Sequence, residues 1–538
     1  PADDCSDAVR AALTASLGDD GAAADPAVDA ARAAIAALDE ALLEAADPEG
    51  HRYGRALPLQ PGQAVVLADG PTRPPQLGDV FHTWAARADM DPEAIQAADD
   101  RVEILRQLGS DYTDNFPVVP NERTNWIDEQ RAITERVALA DLSHHMTSLR
   151  VEGPEARDLL AHLSVNSFDS YPVGKAKQIV MCSPSGHIIG DGPVMRLDEN
   201  VYYGPGVLSA NWVRFHVETG AWDVTVETEP RTSAHEGDPE SFVYQVQGPN
   251  AAPVLEQVTD ADLDAIGFYN FEVIDLADVD TIALGHGMST EAGFEFIGPF
   301  EESERVREAI LDAGEGYGLR ELGSKAYHTQ SVRLGWLPPG VPPIYDVLEM
   351  ADYRAWLDAS SREATYSIDG SYDSEDVTDY YMSPLELGYE KLVSFDHDFV
   401  GREALERQVE AGHRKLVALQ WDADDVVDVY ASLFRPGGET KKFMALPRIG
   451  WARANYDQVL DGDELVGTSH SRSYEWDVRT VVSLCRIDPE YAEPGTEVSV
   501  LWGEARGSPN PKAERHEQTE ITATVAPAPY SEDHRAGQ

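Results

Sequence analysis

A single acidic residue, Asp191, interrupts an otherwise apolar part of the segment Lys175–Leu197. The segment predicts two strands joined by a Ser-Pro-Ser-Gly turn, with Asp191 in the second strand. Gly190 and Gly192 flank the carboxylate, and we expect their missing side chains to let a flat ligand approach it. Pro193 follows and has no backbone N–H, so this part of the strand is not expected to pair on both sides. The alternative is a β-bulge that carries a solvated aspartate.

Two adjacent histidines, His144 and His145, precede a predicted strand at Ser148–Glu152. Adjacent residues of an extended segment point to opposite sides, and no carboxylate or cysteine stands at metal-ligand spacing. We therefore expect no metal site, and we favour one histidine that donates a hydrogen bond to a substrate oxygen. The alternative is one buried, satisfied histidine beside an exposed one.

The chain is strongly acidic, because 96 Asp and Glu stand against 42 Lys and Arg among 538 residues, a net charge of −54. A hydrophobic content of 42% and regularly spaced apolar segments indicate folded domains with an acidic surface. Acidity along the whole length with only eight lysines is typical of proteins from organisms that accumulate salt, where cations screen the repulsion. A nucleic-acid partner is not expected, since the sequence has no basic stripe to neutralise phosphates.

The cysteines Cys5, Cys182 and Cys485 lie far apart and lack CxxC spacing, so neither a zinc site nor a disulfide framework is predicted. This pattern favours a reducing compartment. No apolar run approaches the roughly 20 residues that a membrane span needs. The acidic N-terminal residues differ from a secretory signal. We therefore expect a cytoplasmic protein without a membrane partner.

Four regions follow from the pattern of helices, linkers and strands. Residues 1–78 predict a helical extension, with apolar residues at helical spacing, and then a connector rich in proline and glycine. Residues 79–412 predict a mixed region of helices and strands, which begins with a helix over Asp91–Leu108, and its division into 79–245 and 246–412 is implied by the family resemblance given below. Residues 413–538 alternate short strands with Gly-rich turns, which predicts a small β-barrel or sandwich. The expected fold class is α+β.

The sequence contains the phrases SHHM, KAKQ, GHIIGDG, HGM, Gly335-Trp336-Leu-Pro-Pro and Phe395-Asp-His-Asp-Phe-Val-Gly-Arg402. In the order of such phrases the chain resembles, from roughly residue 110 to residue 530, the glycine-cleavage T-protein (aminomethyltransferase) family. Within that superfamily it looks closest to the tetrahydrofolate-dependent aryl O-demethylases that act on vanillate and 3-O-methylgallate.

The resemblance implies two interlocked folate-binding α/β domains, a C-terminal β-barrel, and tetrahydrofolate as the cofactor. Asp191 matches the carboxylate that approaches the reactive nitrogens of the folate, and Glu295 matches the one that clamps the pterin edge. An ionised carboxylate can accept two parallel N–H bonds from such a ring. Gln247 and Tyr269 are the further candidate cofactor-binding residues. Because a ligand-facing carboxylate needs no protein partner, replacing Asp191 or Glu295 is expected to change the stability of the free protein little.

Tyr327 stands where aminomethyltransferases carry an arginine, as it does in the O-demethylase branch. Its phenol is a neutral hydrogen-bond donor and a weak acid, suited to stabilising a departing oxygen. Tyr327, His145 and Asp191 are therefore the candidate catalytic residues. The alternative for Tyr327 is a core position with its hydroxyl on a backbone carbonyl. Gly467–Tyr474 is expected to be a loop, either closing over the folate tail or lying on the surface.

We therefore expect methyl transfer from a small methoxy compound to tetrahydrofolate, giving 5-methyltetrahydrofolate. Leu142 and Gly204–Gly206 stand where this branch is expected to carry a polar residue and an arginine for an aromatic carboxylate, which argues against vanillate-type substrates. The alternatives are aminomethyl transfer in glycine cleavage, demethylation of a small sulfonium or betaine, and a folate-binding protein without catalysis. The sequence predicts neither the identity of the methyl donor nor the oligomeric state.

Overall fold

The structure is a computed structural model that describes residues 55–60, 63–67, 92–98, 101–107, 118–232, 237–287, 293–345, 348–358, 361–364, 366–447, 453–505 and 513–530. The helices predicted within residues 1–50 lie outside these ranges. In the predicted connector, Arg55–Gln60 and Gln63–Leu67 pair as antiparallel strands, β1 and β2. The domain boundaries stay predictions, and internal contacts separate Pro1–Ala94 from Ile95–Gln538.

The helices of the described residues occur between and after the strands of the central region. They are α1 Pro92–Ala97, α2 Arg101–Gln107, α3 Trp126–Glu135, α4 Ala156–Leu163, α5 Ala210–Thr219, α6 Ala251–Leu255, α7 Ser303–Gly314, α8 Ser324–Leu334, α9 Ala351–Trp356, α10 Arg402–Ala411 and α11 Ala423–Ser432. The single helix predicted over Asp91–Leu108 is two short helices, α1 and α2. None of the described helices is long and apolar enough to cross a membrane.

The remaining strands fall into two sheets, a barrel and a short pair. They are β3 Ala138–Asp141, β4 Ser148–Glu152, β5 Ala176–Cys182, β6 Ile188–Asp198, β7 Val201–Gly204, β8 Thr225–Glu229, β9 Ser241–Gln247, β10 Phe271–Leu276, β11 Val279–Leu284, β12 Gly293–Pro299, β13 Arg320–Glu321, β14 Ser367–Asp369, β15 Lys415–Trp421, β16 Arg453–Asn455, β17 Asp457–Asp461, β18 Glu464–Glu475, β19 Thr480–Ile487, β20 Glu497–Trp502 and β21 Thr519–Ala526. The strands predicted at Lys175–Leu197 and Ser148–Glu152 are confirmed.

The hairpin that carries Asp191 lies at one side of a five-stranded sheet of order β5-β6-β7-β4-β8. Strand β6 pairs with β5 over most of its length, and Pro193 lies opposite Gln178. Strand β7 pairs with β6 only from Met195 onward. Asp191 and Pro193 therefore lie in a part of β6 that is paired on one side, as the proline predicts.

The second sheet has six strands in the order β10-β11-β12-β9-β3-β13. Its register places Glu295 opposite Gln245 and Gly293 opposite Gln247. Directly opposed residues of antiparallel strands share a face, so these side chains point to one side of the sheet. The core on that side includes Tyr327 of α8, whereas the other side packs against helices α6 and α7.

The two sheets meet at the beginning of β5 and β10. Lys175 and Asn270 form an isolated bridge, and the backbone N–H of Ala176 donates to the carbonyl oxygen of Tyr269 at 2.8 Å. Tyr269 is thereby fixed at the junction between the sheet that carries Asp191 and the sheet that carries Glu295.

Strands β15, β19, β18, β17, β20 and β21 close into a barrel, which confirms the predicted C-terminal β-barrel. Trp421 and Trp502 are buried in its core with ring centroids 5.8 Å apart. The expectation of a loop at Gly467–Tyr474 is wrong, because this segment lies within β18 and pairs with β17 and β19. Its closure over a ligand is therefore excluded by the ladder hydrogen bonds.

Candidate active site

Asp191 is buried in β6, and the hydrogen bonds to its carboxylate converge on one oxygen. Its Oδ2 accepts from Nε2 of Gln178 at 2.7 Å, from Nε1 of Trp336 at 2.9 Å and from the hydroxyl of Tyr389 at 2.6 Å. Its Oδ1 is also buried and has no hydrogen-bond partner among the described residues. Because a buried carboxylate oxygen without a donor is costly, Oδ1 fits an N–H donor of a ligand.

The electrostatic surroundings of Asp191 combine opposing effects. Burial raises the pKa of its carboxyl group above the ordinary value, and hydrogen bonds from Tyr389, Trp336 and Gln178 and the charge of Arg362 offset only part of this rise. These partners overturn the expectation that a ligand-facing carboxylate has no protein contact to lose. Replacing Asp191 is expected to affect the free protein as well as its ligand affinity.

The glycines beside Asp191 pack closely against other parts of the protein backbone. A Cβ on Gly190 would lie 2.7 Å from the backbone of Leu208, and one on Gly192 would lie 2.5 Å from the carbonyl oxygen of Gly206. The backbone N–H of Leu208 also donates to the carbonyl oxygen of Asp191 at 3.0 Å. The expectation that these glycines open a path for a flat ligand is therefore wrong, since the positions they free are occupied by backbone.

Glu295 is 4% exposed and lies in β12. Its Oε1 is 3.0 Å from Nδ1 of His286 and accepts from Nε2 of Gln245 at 3.4 Å. Gln247 lies on the same face, but a Cβ on Gly287 would overlap its amide. The amide of Gln247 thus packs against the backbone at Gly287, close to Glu295 on the same face of the sheet.

Tyr269 connects the surroundings of the two carboxylates. Its hydroxyl donates to Oε1 of Gln178 at 2.9 Å, and the amide of the same Gln178 donates to Asp191. Its pKa is raised by burial and by the negative charges of Glu295 and Asp191, so the phenol stays protonated. Its φ of 55° is a strained conformation for an aromatic residue, held by the N–H bond to the carbonyl oxygen of Gly285 at 2.8 Å.

Tyr327 and His145 lie side by side, with ring centroids 5.8 Å apart and planes at 75°. Tyr327 is 5% exposed, and burial followed by the charge of Glu295 raises its pKa well above the ordinary value. Such a phenol stabilises an oxygen by donating a hydrogen bond, and it is a poorer proton donor than the expected weak acid.

His145 has a different hydrogen-bonding role from the one expected. Burial lowers its pKa to about 3, so the ring is neutral. Its Nδ1 is 3.2 Å from the carbonyl oxygen of Leu142, which places the ring proton on Nδ1 and makes Nε2 an acceptor. Of these two neighbouring side chains, the hydroxyl of Tyr327 is therefore the group that can donate a hydrogen bond to a substrate oxygen.

His144 points away from Tyr327. Its Nδ1 is 2.9 Å from the hydroxyl of Thr232, and its ring meets Phe300 edge-on at 5.7 Å. The expectation of an extended segment here is wrong, because His144 and His145 lie in a turn, and their rings contact different groups. Within the described ranges, no group of three or more His, Cys, Asp and Glu side chains is placed to hold a metal ion.

The comparisons with known proteins identify the family of this chain. Residues 102–337 match the GCVT N-terminal domain. Over 450 residues the chain is 38% identical to a syringate O-demethylase of Sphingobium sp. (strain NBRC 103272 / SYK-6), covering 83% of this chain and 96% of that protein. The chain belongs to the glycine-cleavage T-protein superfamily.

Two further relatives and one solved structure extend this T-protein relationship. The chain is 32% identical over 395 residues to sesamin methylene transferase of Sinomonas sp. (strain No.22), covering 71% of this chain and 82% of that one. It is 29% identical over 409 residues to an aminomethyltransferase of Listeria monocytogenes serotype 4a (strain HCC23), covering 75% and 88%. The crystal structure of aminomethyltransferase T from Bartonella henselae shares the fold, with a TM-score of 0.53 at 16% identity over 77% of this chain and 91% of that one.

As a T-protein superfamily member, the chain is a one-carbon transferase that uses tetrahydrofolate. The residues of the site fit this cofactor, since Asp191 offers a buried oxygen that has no donor in the part of the chain that the structure describes, and Glu295 offers a second buried carboxylate. Acceptors of this kind suit the N–H groups of a reduced pterin.

Four residues near Asp191 received no role from the sequence. Gln178 and Trp336 lie in the phrases KAKQ and Gly335-Trp336-Leu-Pro-Pro, which marked the resemblance without indicating a contact. Tyr389 and Arg362 are far from Asp191 in the sequence, and Arg362 donates to the carbonyl oxygen of Ile189 at 3.3 Å. No local sequence pattern shows that residues so far apart in the chain surround the carboxylate of Asp191.

Proposed function

We propose that this T-protein relative removes the methyl group of a methoxy-aromatic compound and transfers it to tetrahydrofolate. The observation that carries the proposal is the position of Tyr327, a buried neutral phenol beside His145 and within the field of Glu295. A hydrogen-bond donor at this point stabilises the oxygen of an aryl methyl ether as it gains negative charge. The similarity to a syringate O-demethylase supports the same chemistry.

The proposed reaction forms a bond between the methyl carbon and N5 of tetrahydrofolate and breaks the bond between the methyl carbon and the ether oxygen. The electron pair of the broken bond stays on the oxygen, and the proton that N5 loses balances that charge to give a phenol. Asp191 and Glu295 orient the folate, and Tyr327 donates a hydrogen bond to the departing oxygen. Holding the two reactants in line supplies much of the rate.

The test is a reaction of the full chain with tetrahydrofolate and syringate whose methyl groups carry deuterium. We expect labelled 5-methyltetrahydrofolate and the demethylated phenol in equal amounts, measured by mass spectrometry. A reaction without syringate is the control for methyl groups from other sources. If a panel of methoxy-aromatic acids and alcohols leaves no labelled folate, the demethylase proposal is wrong.

A second candidate is transfer of a methylene unit, favoured by the 32% identity to sesamin methylene transferase. A reaction with a donor that carries a methylene group bridging two aryl oxygens separates the two activities, because methylene transfer then gives methylenetetrahydrofolate, whose mass differs from that of 5-methyltetrahydrofolate. Aminomethyl transfer is tested by adding a lipoyl carrier protein with its aminomethyl group. Tyr327 in the position of the family's arginine argues against it.

We also propose that the enzyme works in the cytoplasm of an organism that accumulates salt. The net charge of −54 and the scarcity of lysine support this setting, since concentrated cations screen a surface of one sign. The small-molecule methyl donor remains the only proposed partner besides folate.

A further inference from the structure

Gln178 joins two candidate folate-binding residues through one amide group. Its Nε2 donates to Oδ2 of Asp191 at 2.7 Å, and its Oε1 accepts from the hydroxyl of Tyr269 at 2.9 Å. The two contacts fix the orientation of the amide, because the reverse orientation would set the amide oxygen against the carboxylate. Gln178 lies on β5 opposite Pro193, two positions from Asp191 on β6, where β6 is paired only with β5.

This orientation decides what the neighbouring groups offer to a ligand. A tyrosine hydroxyl has one hydrogen, and that of Tyr269 is directed to Gln178, so its oxygen faces any ligand as an acceptor. Oδ1 of Asp191 is buried and lacks a donor among the described residues. Glu295 of the second sheet adds a third acceptor, and its negative charge, like that of Asp191, raises the pKa of Tyr269.

We propose that Gln178 is a positioning residue that makes this site select the reduced pterin ring of tetrahydrofolate over the oxidised ring of folic acid. The reduced ring carries N–H groups at N5 and N8, where the oxidised ring carries nitrogen lone pairs. Acceptors facing N–H groups gain hydrogen bonds, whereas acceptors facing lone pairs stay unsatisfied and repel them. This inference rests on the proposed function, because it takes folate as the ligand of the site.

The experiment measures binding of tetrahydrofolate and of folic acid to the full chain by calorimetry without oxygen and without a methyl donor. For the unchanged protein we expect tetrahydrofolate to bind at least about tenfold more tightly. The variant Gln178→Met keeps a side chain of similar length but neither contact, so Tyr269 is released to donate. We expect the preference for tetrahydrofolate to fall about tenfold, and the acid limb of the pH profile of kcat/KM to move to higher pH because Asp191 loses a donor.

The matched control is Gln130→Met. Gln130 of α3 also makes two amide contacts, donating to the carbonyl oxygen of Tyr474 at 3.0 Å and accepting from the backbone N–H of Trp476 at 3.0 Å. Its loss is expected to lower stability without changing the ratio of the two affinities. Gln178→Glu keeps an acceptor for Tyr269, so it is expected to retain more of the preference than Gln178→Met.

Equal binding of tetrahydrofolate and folic acid by the unchanged protein would overturn the inference without any variant. A folded Gln178→Met with an unchanged preference would overturn it as well. Absence of binding for both compounds would instead contradict the proposed function. The two failures are therefore distinguishable.

Discussion

The hydroxyl of Tyr389 donates a hydrogen bond of 2.6 Å to Oδ2 of Asp191, although the two residues are 198 positions apart in the chain. Trp336 donates to the same oxygen from a third segment, the turn after α8. The protein therefore places its donors on one carboxylate oxygen of Asp191, whereas Oδ1 has no hydrogen-bond partner among the described residues. This division supports the proposal that Oδ1 meets a ligand.

Asp191→Asn is expected to depress turnover more than folate affinity, because its side chain lies beside the proposed reacting nitrogens. We expect kcat to fall at least about tenfold and the Kd for tetrahydrofolate to change less. Loss of the charge also weakens the three hydrogen bonds on Oδ2, each worth about 1.5–3 kcal/mol when charged, so the free energy of unfolding should fall. Steady-state kinetics, calorimetry and urea unfolding check these values. Asp457→Asn, a buried change in the barrel, is the control, and equal effects of both variants on kcat would contradict the assignment.

Glu295→Gln keeps the size of the side chain but removes the charge that we propose accepts N–H bonds from the pterin. We expect the Kd for tetrahydrofolate to rise about ten- to a hundredfold, which corresponds to roughly 1.5–3 kcal/mol. His286 and Gln245 contact this carboxylate, so the unfolding free energy should also fall by about 1 kcal/mol. Fluorescence titration and urea unfolding measure the two effects.

The control for Glu295→Gln is Glu504→Gln, a buried glutamate of the C-terminal region that contacts Lys442. Its loss is expected to lower stability and to leave folate affinity unchanged. Should Glu295→Gln lower stability in the same way and keep the affinity of the unchanged protein, Glu295 is structural and the pterin-clamp role is wrong.

Tyr327→Phe is expected to lower kcat about 10²- to 10³-fold, the range seen when one donor to a developing oxyanion is removed. KM should change little, since the ring still packs against His145. Tyr244→Phe is the matched control, because Tyr244 is also buried but donates to the backbone carbonyl of Ser303 on the other side of the sheet. A Tyr327→Phe enzyme with full kcat in the deuterated-methyl assay would remove Tyr327 from the catalytic residues.

Glu475 gives the stability of the protein a pH dependence. Burial raises the pKa of its carboxyl group to about 7 from 4.5, with Arg333 acting in the opposite direction. Because the folded pKa is the higher one, its contribution to stability is complete below pH 4.5 and is lost as pH rises through 7. At about 1.4 kcal/mol per pKa unit, the difference between 4.5 and about 7 corresponds to a total loss of about 3.5 kcal/mol.

Relative to the unchanged protein, the free energy of unfolding of Glu475→Gln is therefore expected to increase by about 2–3 kcal/mol when the pH is raised from 5 to 8.5. Urea unfolding at both pH values gives the difference, and comparing the two proteins cancels the general effect of the acidic surface. The exposed Glu490→Gln makes the same charge change without burial. If both variants change the pH dependence of the unfolding free energy equally, the burial of Glu475 does not cause that dependence.

Salt is expected to stabilise the protein, because its net charge of −54 repels itself in dilute buffer. The screening length falls to about 3 Å at 1 M salt, so the urea midpoint should rise steeply as KCl increases toward this concentration. Sucrose at matched osmolality controls for exclusion of cosolutes. A midpoint that is unchanged or lower in KCl would contradict the proposed salt-rich setting.

The sequence by itself determined the local structure around the site. The apolar hairpin with its Ser-Pro-Ser-Gly turn became β5 and β6, and the alternating pattern after residue 413 became the barrel, because alternation and turn residues act over a few positions. Pro193 correctly indicated one-sided pairing, since a missing N–H is a local property. The candidate residues Asp191, Glu295 and Tyr327 came from their types and from a family resemblance.

Only the tertiary structure decided how these residues are used. The contacts of Asp191 with Tyr389 and Trp336 join segments that no local pattern relates, and the occupied space beside Gly190 depends on where the loop at Leu208 folds back. The role of His145 changed for the same reason, because a neutral ring follows from burial, and burial is a property of the packed chain. The sequence determines which chemical groups the side chains carry. The fold determines their hydrogen-bond partners, their protonation and whether they donate or accept, because it decides which groups lie within hydrogen-bond distance.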